Sequence, residues 1–160
     1  MIKNLIIIFA IIVAIIACEK DDFCISNPVT PNLVLRFYDS ETEDETVSEV
    51  TSLTVWNDDL GTIYEDETTD SIALPLNTLA TNTTYILSQD ELRIDTLVIS
   101  YDTEDQFVSR SCGFRVIFNN VDFSLIDEDG VNWIQSVESV LNEDEPTINN
   151  QAQAHVKVYH

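Results

Sequence analysis

Positive charge is scarce in this 160-residue chain: 7 Lys and Arg face 29 Asp and Glu, a formal net charge of −22. Binding along a nucleic-acid backbone needs clustered cations that displace counterions, so nucleic acid is excluded as a partner. Docking onto anionic headgroups through a basic patch is excluded on the same ground. Glycine is nearly missing, with 3 residues, which leaves little material for a phosphate-cradling loop. Histidine is confined to His155 and His160, near the end of the sequence. A Ser-His-Asp arrangement would have to recruit one of them, and no nucleophile-elbow motif is present. What the chain does have is 44% hydrophobic residues. That content argues against wholesale disorder, and the length suits one domain.

Part of the apolar content sits at the N-terminus. Lys3 supplies a positive start, and residues 5–17 form an unbroken apolar run. A spanning helix needs about 20 such residues, so the run reads as an export signal over residues 1–17. The alternative is an uncleaved anchor helix. The run ends in Ile15-Ile16-Ala17-Cys18, which resembles the bacterial lipobox. There a small residue precedes the cut, and the following Cys carries a diacylglyceryl group on its thiol and an acyl chain on its amine. Each buried methylene contributes about 0.8 kcal/mol, so two or three chains hold firmly where one does not. The resemblance implies a chain that begins at Cys18, anchored in a membrane. Glu19-Lys20-Asp21-Asp22 follows directly. It resembles the surface-export signal of Bacteroidota lipoproteins and implies an outer-membrane protein exposed at the cell surface. The alternative is a polar tether. Residues 18–31 are then a lipidated tether with Pro28 and Pro31, and residues 32–160 the folded domain.

Three cysteines in an exported chain leave an odd thiol to explain. Lipidation of Cys18 accounts for it and leaves Cys24 and Cys112 to pair, as the envelope permits. A redox or nucleophilic Cys is the alternative. It lacks a CxxC and has no His near either Cys in sequence.

Beyond the tether the apolar residues alternate in short runs. The pattern predicts strands over 33–38, 47–56, 62–64, 71–76, 83–88, 95–101, 112–126, 131–141 and 154–159, the 131–141 run being open to a helix as well, since Trp133, Val137 and Leu141 stand at i, i+4 spacing. Pro75 suits an edge strand or a bulge. Acidic stretches at 39–46, 65–70 and 127–130 read as turns, and Asn119-Asn120 as a candidate turn inside the longest run. The expected fold is all-β: an antiparallel β-sandwich of immunoglobulin-like type with about eight strands and the last strand packed on the body.

Cys18 to Cys24, the stretch Thr30-Pro31-Asn32-Leu33-Val34-Leu35-Arg36-Phe37-Tyr38-Asp39, Ser109-Arg110-Ser111-Cys112-Gly113-Phe114 and the close His155-Val156-Lys157-Val158-Tyr159 together resemble a domain-of-unknown-function family of small flavobacterial lipoproteins. The resemblance implies one envelope-located domain with two further cysteines. It brings no activity and no cofactor.

Several constellations invite chemistry. Carboxylates cluster at 41–45, 65–70, 102–105, 127–129 and 143–145. Calcium takes six to eight oxygen ligands, and Asp127 with Asp129 come nearest to a loop site, without EF-hand spacing. The alternative is a set of solvated turns. A glycosidase needs two carboxylates at a set separation, and sheer abundance of acids does not select a pair, so no enzyme is expected. Arg36, Arg93, Arg110 and Arg115 could bind an anion or pair internally. Trp56, Tyr64, Tyr101 and Trp133 could form a sugar platform, or core. Asp70-Ser71-Ile72 and Asp95-Thr96-Leu97 resemble Bacteroidota O-glycosylation sites at Ser71 and Thr96. The resulting expectation is a lipid-anchored envelope protein with a binding or structural role and a protein or glycan partner. The alternatives are a Ca-dependent adhesion or glycan-binding module and a carboxylate hydrolase.

Overall fold

The computed structural model describes residues 24, 29–42, 45–90, 92–126 and 132–160. The expected signal segment, Cys18 and the expected turn at 127–130 with Asp127 and Asp129 lie outside them. Among the described residues there are nine strands and no helix: β1 (Leu33–Tyr38), β2 (Val50–Asn57), β3 (Gly61–Thr69), β4 (Ser71–Leu74), β5 (Asn82–Gln89), β6 (Arg93–Ser109), β7 (Gly113–Ile126), β8 (Ser136–Ser139) and β9 (Val156–Tyr159).

The strands form a β-sandwich. One sheet has the order β4-β1-β9-β8, the other β3-β2-β5-β6-β7. Every pairing in register is antiparallel except β1 with β9, which run parallel from Leu35 opposite Val156 to Tyr38 opposite Tyr159. One apolar cluster joins the sheets: Leu33, Leu35 and Phe37 of β1, Val156 and Val158 of β9, and Tyr85, Leu87, Leu97 and Ile99 of β5 and β6, all fully buried. Full burial of each such side chain stabilises by about 1.5–3 kcal/mol. The terminal strand packs on the body, as its Val156 and Val158 predict.

Strand β2 shows why its side-chain pattern reads ambiguously in the sequence. Val50, Leu53 and Val55 are all buried, although Val50 has the opposite parity. Ser52 takes a positive φ of 51°, and the register with β3 shifts between Val50 and Leu53. The bulge adds one residue and turns both sides of it to the core.

Four expectations are corrected. The acidic stretch 65–70 is not a turn, because β3 runs through it to Thr69. It lies at a sheet edge, where exposed Glu65, Asp66 and Glu67 face water and discourage pairing with another chain. Asn119-Asn120 is no turn either, because β7 continues through it. The two amides donate to the Glu104 and Asp102 carboxylates of β6 at 2.7 and 2.8 Å, so that acidic stretch is strand as well. The 131–141 run shrinks to β8 at 136–139, because Trp133 and Ile134 are committed to the core ahead of it.

Between β3 and β4 the chain passes from one sheet to the other across one residue, Asp70. The corner is held by Phe37 N–H donating to the Asp70 carbonyl at 2.9 Å, and by the Ser71 hydroxyl donating to the Leu35 carbonyl at 3.1 Å.

Two compact units are distinguished. Val29–Gln106 with Val116–His160 make the sandwich, and Phe107–Arg115 belong with the N-terminal residues through Pro28.

Candidate functional site

At the β2–β3 and β4–β5 connections the sandwich has a depression of about 570 Å³. Its walls are built by two asparagines acting as turn formers. Asn57, buried at the end of β2, accepts from the Asp59 and Leu60 N–H groups at 2.8 and 3.2 Å and donates to the Thr84 carbonyl at 2.6 Å. Gly61, with φ of 74°, then returns the chain into β3, a conformation that disfavours a side chain. Asn77 accepts from Leu79 N–H at 2.9 Å, and its own N–H donates to Thr83 Oγ1 at 3.0 Å.

Two buried tyrosines fix the second loop from beneath. Tyr101 donates to the Asn77 carbonyl at 2.8 Å and shares a hydrogen bond with Thr83, and Tyr85 donates to the Pro75 carbonyl. Burial pushes both phenols above their ordinary value. The floor holds Leu76 and Ile86, the rim Asp58, Asp59 and an exposed Leu60. An apolar floor under amides, hydroxyls and carboxylates suits a neutral polar ligand or an extended chain segment, and the volume lies within the about 300–1,000 Å³ of small-ligand sites. Sequence reading did not single out this site. Its signal was present in Asn57-Asp58-Asp59 and in Pro75 followed by Asn77.

The residues singled out in the sequence are dispersed. Trp133 and Tyr101 are core. Tyr64 packs against that core and hydrogen-bonds both backbone groups of Ala73 at 3.0–3.2 Å. Trp56 is half-buried. No common platform results. Arg36 pairs with Asp70 at 3.8 Å and Arg93 with Asp90 at 3.1 Å. Ser71 is in β4, and Thr96 is half-buried in β6 opposite Ile86. Asp95, the neighbour of Thr96, is the buried carboxylate among the described residues, and its Oδ2 accepts from the N–H groups of Trp133 and Ile134 at 3.0 and 2.8 Å. A second, polar depression brings Glu104 and Glu145 together with Asn119, Asn142 and Asn149. Among the described residues no three His, Cys, Asp or Glu side chains are placed to hold a metal. Cys24 and Cys112 are joined in a disulfide, with Cα atoms 4.8 Å apart.

His155 is buried with both ring nitrogens engaged. Nδ1 accepts from Val34 N–H at 2.9 Å, and Nε2 faces the Asn150 carbonyl at 2.8 Å. The first contact requires an unprotonated Nδ1, so Nε2 carries the proton. Burial pulls the pKa below its ordinary 6.5. Above that value the ring is neutral in folded and unfolded chain alike and its stabilisation is complete. As pH falls below 6.5 the unfolded chain binds the proton first, and stability drops until the folded value is passed. Urea unfolding at pH 7.5 and 5 is expected to show a larger loss for the wild type than for His155→Gln, which keeps an acceptor without a charge. Equal losses in both chains would remove His155 as the source.

The comparison with protein families turns on the sandwich sequence. The model of a family of unknown function (DUF6452) matches residues 46–160. The chain belongs to the DUF6452 family. The DUF6452 match spans β2 to β9, the depression and Cys112, and begins after Cys18, Cys24 and β1. No curated protein and no solved structure matches the chain.

Proposed function

We propose that this DUF6452 member is a lipoprotein of the bacterial outer membrane, exposed at the cell surface, whose sandwich serves a binding or structural role through the depression between Asn57 and Asn77. The observation that carries the reading is the fate of the cysteines. Cys24 and Cys112 are bonded to each other, so of the three cysteines in the sequence Cys18 alone is left to account for, and it ends Ile15-Ile16-Ala17-Cys18 after an apolar run. Acylation assigns that thiol. The acidic tether Glu19 to Asp22 supports placement on the outer face, and the carboxylate-rich surface keeps a tethered domain soluble.

Labelled palmitate supplied to growing cells is expected to enter the wild-type protein and not a Cys18→Ala variant. The variant should also leave the membrane fraction. An unlabelled wild-type protein removes the anchor and, with it, the surface placement.

A further inference from the structure

We propose that the hairpin tip Phe107–Arg115 rests in the headgroup layer of the same phospholipid bilayer that holds the Cys18 lipid. The inference deepens the lipoprotein reading and rests on it.

Phe107 and Phe114 flank the β6–β7 turn and are 57% and 63% exposed. Their rings meet edge-to-face, 5.3 Å apart at 65°. They pack on one another while showing most of their surface to the outside, an arrangement that water penalises and a lipid interface rewards. The nine residues of the tip also carry Arg110 and Arg115 and no acid, in a chain with 7 Lys and Arg against 29 Asp and Glu. Arg110 is exposed. Apolar rings alternating with arginines are the composition of interfacial segments: rings enter the acyl boundary while guanidinium groups stay among phosphates.

Covalent connection brings the tip to the bilayer. Cys112, in the turn of the hairpin, is bonded to Cys24. From Cys24 back to Cys18 is a stretch of six residues, which spans at most about 20 Å. The tip is therefore held within a short reach of the lipid chains, at a high local concentration relative to that surface. The overall charge of −22 excludes a broad basic face, so the contact is local and chiefly apolar. Zwitterionic phospholipid satisfies it.

The test uses the full lipidated chain carrying Phe114→Trp, with Phe107→Trp made in parallel, reconstituted in phosphatidylcholine vesicles with plain or brominated acyl chains. The wild type, with Trp56 and Trp133, supplies the baseline. The added emission should shift to the blue and fall roughly twofold with brominated lipid, as for a ring about 5–10 Å into the headgroup–acyl boundary. Flotation of the same vesicles reports the anchor separately. Protein that floats while neither introduced indole is quenched overturns the tip contact and leaves the anchor standing; a tip covered by a second copy of the chain gives that result. Protein that does not float overturns both.

Discussion

Replacing Cys112 by Ala should lower the free energy of unfolding by about 4–5 kcal/mol. The bond to Cys24 closes a sequence separation of 88 residues. Chain-entropy reasoning gives that figure for a loop of this size, because the cross-link removes open conformations from the unfolded ensemble. Much of a small domain's stability of about 5–15 kcal/mol then hangs on one covalent bond. Urea unfolding of the oxidised wild type, the reduced wild type and Cys112→Ala checks this. The last two should share a midpoint well below the first. The denaturant slope should rise when the cross-link is lost, because a freer unfolded chain exposes more surface. Coincident midpoints for all three would show that the bridge constrains nothing the fold needs.

Asp95→Ala should cost about 3–5 kcal/mol. The carboxylate is 1% exposed, and its Oδ2 takes two backbone N–H groups, those of Trp133 and Ile134. Alanine strands both donors in the core, at about 1–3 kcal/mol each, and forfeits charge-assisted bonds. Asp95→Asn keeps an oxygen in place and should lose about half as much. The damage should spread locally. Trp133 also donates its indole N–H to the Leu87 carbonyl at 3.2 Å, so the segment that leads into β8 is pinned at both backbone and ring. Hydrogen exchange at the Trp133 and Ile134 amides should accelerate in the alanine variant beyond the change seen across β5. Uniform acceleration would mean that Asp95 does not hold this segment in particular. The result also bears on Asp95-Thr96-Leu97, since the first residue of that tripeptide has a structural duty of its own.

The class of fold was legible because two-residue alternation survives in β1, β5 and β9, where one face is buried and the other is not. The acidic strand segments were not legible. Glu65 to Glu67 and Asp102 to Glu104 read as turns by composition, yet an edge strand and an exposed hairpin arm tolerate carboxylates on every side that meets water. Charge reports exposure there, and exposure is a weak guide to backbone geometry. The Ser52 bulge was hidden for another reason, since a positive φ at a non-glycine residue leaves no mark in composition. The disulfide partners followed from counting. The depression was missed because its walls are two Asx turns, which look like any other loop until the tyrosines beneath them are placed. Phe107 falls outside the strands read from the pattern and Phe114 inside the 112–126 run; only the hairpin makes them neighbours.

The position of β9 governs when the protein can become native. Its four residues lie between β1 and β8, and the His155 ring and backbone fasten it to Val34. Until the chain is made as far as residue 159, the first strand has no parallel neighbour and the smaller sheet is missing its middle. The smaller sheet is completed only when this last strand pairs, with the slow kinetics of a contact between strands far apart in the sequence.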